Sequence, residues 1–127
     1  MLVVDDDGSL LESLQLLLSD DCDVTCCDSP QLALEHLAAR PVEIVITDLM
    51  MPQMSGLEFA AAVKKQSANP PYCLMLTGTP GSVKSADPGA SDLVMVMAKP
   101  FEPERLLHLV LQIGRLALNR QGKLSAR

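Results

Sequence analysis

The stretch Val42-Glu43-Ile44-Val45-Ile46-Thr47-Asp48-Leu49-Met50-Met51-Pro52-Gln53-Met54-Ser55-Gly56 decides the fold. Ile44, Val45 and Ile46 are a short continuous run of β-branched apolar residues, the pattern of a central strand buried on both faces. The run stops on Asp48. Pro52 and Gly56 break the pattern and Leu57 begins a helical one. The Asp48 carboxylate is therefore expected at the C-terminal tip of a strand, where open α/β sheets bind ligands. That makes Asp48 the candidate reactive group.

Working toward the N-terminus, Asp23-Val24-Thr25-Cys26-Cys27 reads as a weaker strand closed by Ser29-Pro30, a cap and first-turn proline for a helix carrying Ala33, Leu34, Leu37 and Ala38. Before it, Leu2, Val3 and Val4 form a short strand that runs into Asp5-Asp6-Asp7-Gly8. Ser9 and Glu12 have capping-box spacing, and Leu10, Leu14, Leu17 and Leu18 recur at helical intervals. Asp5, Asp6 and Asp7 have the bland alternative of a solvated acidic loop capping that helix, Asp7 most of all. Toward the C-terminus, Ser55 and Glu58 repeat the capping-box spacing ahead of Leu57, Ala60, Ala61 and Lys64, and Asn69-Pro70-Pro71 stops that helix. Tyr72 to Leu76 is a fourth strand ending at Thr77-Gly78, and Leu93 to Ala98 a fifth ending at Lys99-Pro100. Pro103 to Asn119 reads as a long helix with Leu106, Leu109, Val110, Ile113 and Ala117 on one face. Alternating strands and helices imply a parallel sheet covered on both faces. Residues 1–120 are expected to be one domain and 121–127 a frayed tail or the start of a linker.

Bulk properties narrow the function. The 127 residues suit a single domain, and its core is aliphatic because apolar residues make up 48% but aromatics only 2%. That composition offers no stacking platform for bases. A net charge of -6 argues against direct nucleic-acid binding by this segment. No run reaches the roughly 18 apolar residues of a membrane span, and the start lacks the basic flank of a signal peptide, so the expected location is cytoplasmic. The chain enters a strand pattern directly at Met1 and Leu2, as a piece of a longer protein would. Cys22, Cys26, Cys27 and Cys73 fit no zinc-ligand spacing and read as reduced, buried thiols. His36 and His108 fall on different helices away from the strand tips, as surface or partly buried residues.

In a parallel sheet, Asp5, Asp6, Asp48, Thr77 and Lys99 all leave C-terminal strand ends and can converge on one rim. Three carboxylates so close would repel unless a divalent cation sat among them. Mg²⁺ suits hard oxygen ligands and sites shared with phosphate. Lys99 supplies a compact positive charge for phosphate oxygens and Thr77 a hydroxyl donor, leaving Asp48 as a nucleophile able to become an acyl phosphate. Phosphoryl transfer needs mostly positioning and charge neutralisation, which a metal and a lysine provide. The reading requires the Asp48 carboxyl and the Lys99 ammonium to lie within about a dozen ångströms of each other.

Val4-Asp5-Asp6 after a starting strand, Asp48 followed by Met51-Pro52-x-Met54-x-Gly56, Thr77-Gly78, and Lys99-Pro100-Phe101 resemble, in this order and at these intervals, the receiver domain of two-component response regulators. The resemblance covers essentially the whole chain. It implies a flavodoxin-like doubly wound sheet of five parallel strands in the order 2-1-3-4-5. It makes Asp48 the phosphoacceptor, charged from a phosphohistidine on a partner histidine kinase or phosphotransfer protein. Asp6 and Asp48 would bind Mg²⁺ directly with the backbone carbonyl of Met50, and Asp5 through water or as a second direct ligand. Thr77, Lys99 and the Gly78 amide would contact the phosphoryl group, and the Lys99-Pro100 bond is expected to be cis. Such a domain is a phosphoacceptor assisting its own phosphotransfer and dephosphorylation, not an enzyme.

Two departures concern the output. Between Thr77 and Leu93 the family has a full helix, but Thr79 to Gly89 carries four Gly and Pro residues, so that helix is expected to be short, frayed or absent. The aromatic residue usual three places before the lysine is replaced by Val96. Signalling is then expected through altered dimerisation or contacts of the last helix. There Leu107, Leu111 and Leu118 form a second apolar stripe, equally readable as burial over a broad arc. Two other classes stay open. A degenerate receiver would keep the fold as an interaction module without the switch. A haloacid-dehalogenase-like phosphatase needs a second Asp two places after the first, where Met50 stands.

Overall fold

A computed structural model describes residues 1–84 and 89–125, the side chains of Ser91 and of residues 118–125 excepted. Five strands, β1 (Leu2–Val4), β2 (Thr25–Cys27), β3 (Ile44–Asp48), β4 (Tyr72–Thr77) and β5 (Leu93–Ala98), alternate with helices α1 (Gly8–Leu18), α2 (Pro30–Ala39), α3 (Gly56–Gln66) and α4 (Pro103–Ser125). All pairings are parallel and the order is β2-β1-β3-β4-β5. This is the expected flavodoxin-like topology. β1 and β3 are neighbours although β2 lies between them in the chain, so the connections leave β1 in opposite directions and open a crevice above the two strand tips.

Strand alternation sorts the core into two layers. Val3, Ile44, Ile46, Leu74 and Leu76 face α1 and α4, meeting Leu14, Leu18, Leu106 and Val110. Leu2, Val4, Val45 and Cys73 face α2 and α3, meeting Ala33, Leu37, Phe59 and Val63. The sheet is therefore buried on both sides, as the β-branched run in β3 requires.

Helix starts follow local chemistry, with one correction. Ser29 caps α2 by accepting from Leu32 N, Pro30 occupies the first turn, and Ser55 caps α3 by accepting from Glu58 N. α1 is capped not by Ser9 but by Asp7, whose carboxylate accepts from the amides of Ser9 and Leu10 at 3.0 and 3.4 Å. A carboxylate accepts more strongly than a hydroxyl, and Asp7 has the extended backbone a cap needs, so the helix begins two residues earlier and Ser9 is already inside it. Leu11 consequently joins the buried face, with Leu10 and Leu17 half-buried.

Other boundaries shift less. β2 begins at Thr25 rather than Asp23, because pairing with β1 starts opposite Leu2. Between β4 and β5 the described residues form only two short 3₁₀ turns, Pro80–Ser82 and Ala90–Asp92, in agreement with a disrupted helix there; residues 85–88 of that expectation lie outside the described residues. α4 continues as helix through Ser125, where a frayed tail was expected from Gln121; Ala126 and Arg127 lie outside the described residues. Only Cys73 of the four free cysteines is fully buried, the others being half-buried at the thinner β2 edge. No helix among the described residues is long and apolar enough to cross a membrane.

Candidate functional site

Register brings the polar strand ends together. Val4 pairs with Thr47, Asp48 with Leu76, and Thr77 with Ala98. Asp5, one residue beyond Val4, therefore stands level with Asp48, and Lys99, one beyond Ala98, follows Thr77 on the same rim. The Lys99 ammonium lies 3.1 Å from Asp5 Oδ2 and 3.4 Å from Asp48 Oδ1, well inside the limit the sequence reading set. The Lys99–Pro100 bond is cis, as expected. One lysine thus bridges two carboxylates.

Carboxylate oxygens of Asp5, Asp6 and Asp48 all lie within 4.8 Å of one another. They differ in exposure: the Asp5 side chain is 4% exposed, that of Asp48 14%, and Asp6 lies in solvent. Burial pushes the Asp5 carboxyl above its usual pKa, and the nearby Asp48 charge adds to this; the Asp7 amide, donating at 2.9 Å, and the Lys99 ammonium pull the other way. Burial wins that contest. A hard divalent cation placed among the three carboxylates would supply the charge they lack, and an all-oxygen donor set of this kind matches Mg²⁺.

Asp48 is held asymmetrically. Leu49 N donates to Oδ1 at 2.8 Å, the same oxygen that Lys99 approaches, and among the described residues Oδ2 makes no hydrogen bond. The free oxygen keeps its lone pairs for a metal or an electrophile. Behind it, the Thr47 hydroxyl donates to the Asp48 carbonyl at 3.0 Å, and Gly56 N closes the loop by donating to Leu49 O at 2.8 Å. A Cβ at Gly56 would overlap the Asp48 carbonyl oxygen and press on Met75 Cε, so only glycine allows α3 to start this close to the strand tip.

Thr77 is buried, and its hydroxyl accepts from Thr79 N at 3.1 Å and lies 3.4 Å from the Thr79 hydroxyl. Thr77 O also accepts from Lys99 N at 2.7 Å, which ties the two rim residues together through the backbone. Gly78 is exposed directly after the strand, with open space where a side chain would be. Met50 lies in the loop after Asp48 with its side chain 71% exposed. His36 and His108 are not in this cluster.

Sequence reasoning placed Asp5, Asp6, Asp48, Thr77 and Lys99 here but missed the groups that aim them: the Asp7 and Leu49 amides, the Thr79 side chain and the Gly56 contact. The Thr77-Gly78-Thr79 spacing was a readable signal, because a threonine hydroxyl commonly bonds the amide two residues on.

The comparisons with known proteins agree with this geometry. Residues 1–111 match the family model of the response regulator receiver domain. The transcriptional regulatory protein FixJ of Bradyrhizobium diazoefficiens is 34% identical over 112 residues, 85% of this chain and 53% of that protein. The DNA-binding response regulator MtrA of Mycobacterium tuberculosis is 33% identical over 109 residues, 84% of this chain and 46% of that protein. The chain thus spans about half the length of these relatives. The solved signal receiver domain of an HD domain-containing protein from Pseudomonas fluorescens Pf-5 superposes with a TM-score of 0.84 at 27% identity, over 95% of this chain and 90% of that one. With strand order, rim chemistry and a match across most of its length all in accord, the chain belongs to the receiver-domain family of two-component response regulators.

Proposed function

We propose that this chain, as a domain of residues 1–120, is a phosphorylation-dependent receiver in which Asp48 takes a phosphoryl group from the phosphohistidine of a histidine kinase or phosphotransfer protein. The supporting observation is the state of Asp48: one carboxylate oxygen fixed by Leu49 N and Lys99, the other unengaged beside Asp5 and Asp6. Oδ2 bonds to phosphorus while the phosphorus–nitrogen bond of the donor breaks, and the departing imidazole nitrogen takes up a proton. Lys99 would neutralise the incoming oxygens, and the Thr77 hydroxyl and the Gly78 amide would donate to them.

Asp6, Asp48 and the Met50 carbonyl would hold Mg²⁺, with Asp5 joining through water or directly. When bound, the cation supplies charge neutralisation for the transferring group. The domain assists its own phosphorylation and dephosphorylation and is not a turnover enzyme. It acts in the cytoplasm, contacts no nucleic acid itself, and reports its state through altered dimerisation or through contacts of α4.

The test is to incubate the protein with acetyl phosphate and Mg²⁺ and weigh it by mass spectrometry. A transient gain of one phosphoryl group that is lost in Asp48→Asn is the expected result. A second reading, a degenerate receiver acting as a phosphorylation-independent interaction module, is favoured by the short 3₁₀ turns between β4 and β5 and by Val96. No mass gain would establish it over the first. Rapid turnover of unrelated phosphate esters would instead indicate a phosphatase.

A further inference from the structure

A cavity of about 840 Å³ lies at the end of the sheet opposite Asp48, beneath the first residues of β1, β2 and β3. Its size falls within the range of small-molecule sites. Val42, Ile44 and Val110 are its apolar lining, Asp21, Asp23, Glu43 and His36 lie among its polar residues, and two exposed arginines stand at it from different layers: Arg40 at the C-terminal cap of α2 and Arg115 on α4. Among the described residues neither arginine is in an ion pair.

Gly114 is the second observation. It stands in the interior of α4, where glycine costs about 1 kcal/mol relative to alanine, yet a Cβ there would meet nothing within 4 Å. Packing does not demand the glycine. What its missing side chain leaves is space in the cavity wall, since Gly114 is one of the lining residues.

We propose that this cavity binds a small organic anion, a carboxylate or phosphate head on an apolar body, with the head between Arg40 and Arg115. Guanidinium forks pair with such heads through two parallel hydrogen bonds, and the valine and isoleucine side chains accept the body. Asp21, Asp23 and Glu43 share the rim and offer a competing reading in which the head is cationic.

The experiment titrates the protein with octyl phosphate and follows the backbone amides of Thr25, Val42 and Gly114 by NMR. Saturable shifts are expected, with the dissociation constant weakened about tenfold both in the Arg40→Gln/Arg115→Gln double variant and in Gly114→Leu. The unfolding midpoint of Gly114→Leu should equal or exceed the parent's, which separates a filled cavity from a damaged fold. Absence of saturable shifts, parent-like affinity in either variant, or equally strong shifts with octylammonium would overturn the proposal. Inorganic phosphate binding as tightly as octyl phosphate would remove the apolar body from it. The readout does not involve Asp48, so it is independent of the phosphoacceptor reading.

Discussion

At the scale of single residues, the site is a charge imbalance held in check by one lysine. Asp5 is buried, its carboxyl is raised above the usual 3.8, and Lys99 is among the groups that hold it down. A carboxyl raised in the folded state binds its proton more tightly folded than unfolded. Its contribution to stability is therefore greatest at acidic pH and declines as pH rises from about the unfolded value through the raised one. Removing the ammonium with Lys99→Ala raises Asp5 further and widens that window upward. Without metal, Lys99→Ala should lose about 1–2 kcal/mol at neutral pH, and less on acidification as Asp5 takes up its proton. Urea unfolding of parent and variant across pH measures this, and parallel stability curves would refute it. Added Mg²⁺ should recover part of the loss, because a cation among the three carboxylates does the same work.

At the scale of elements, two positions carry most of the local order. Asp7 caps α1 from the same loop that presents Asp5, so Asp7→Ala should cost about 1 kcal/mol in thermal or urea unfolding while Ser9→Ala changes little. Gly56→Ala forces a Cβ against the Asp48 carbonyl, a backbone atom that cannot turn aside. The expected cost is about 1–3 kcal/mol together with slower phosphorylation by acetyl phosphate, since Asp48 must move to make room. These same positions mark where the sequence was legible. A β-branched run located β3, an apolar run closed by Thr77-Gly78 located β4, Ser29-Pro30 and Ser55 located two helix starts, and strand ends located Asp5, Asp48, Thr77 and Lys99. The buried face of α3 was not specified: Leu57, Ala60, Ala61 and Lys64 marked a helix, and the residues it buries are Phe59, Ala60 and Val63. Lys64 instead pairs with Asp92 at 3.0 Å. Rotation of α3 is set by the Gly56 contact with the strand tip, a tertiary fact that periodicity does not contain. The amides that orient Asp5 and Asp48 were illegible for a similar reason, because loop conformation decides where an N–H points.

At the scale of the whole molecule, the question is how a change at Asp48 leaves the domain. β5 is an edge strand with Val94 and Met95 41% and 38% exposed, and among the described residues only short 3₁₀ turns stand between β4 and β5. On α4, Leu106, Val110, Ile113 and Ala117 are buried as expected, whereas Leu111 is 37% and Leu116 49% exposed; Leu107 is half-buried and the Leu118 side chain lies outside the described residues. The second stripe is thus only partly used by the core; Leu111 belongs to it, whereas Leu116 lies about 140° further round the helix, and the proposed dimer contact is tested at both. Beryllium fluoride with Mg²⁺, standing in for the phosphoryl group on Asp48, should shift the protein from monomer to dimer mass in size-exclusion chromatography. Leu111→Glu/Leu116→Glu should abolish that shift while costing the monomer no more than about 1 kcal/mol, since both side chains are only partly covered. If the mass stays that of a monomer and amide exchange along α4 is unaltered by beryllium fluoride, α4 is not the output, and the exposed β5 edge becomes the surface to test.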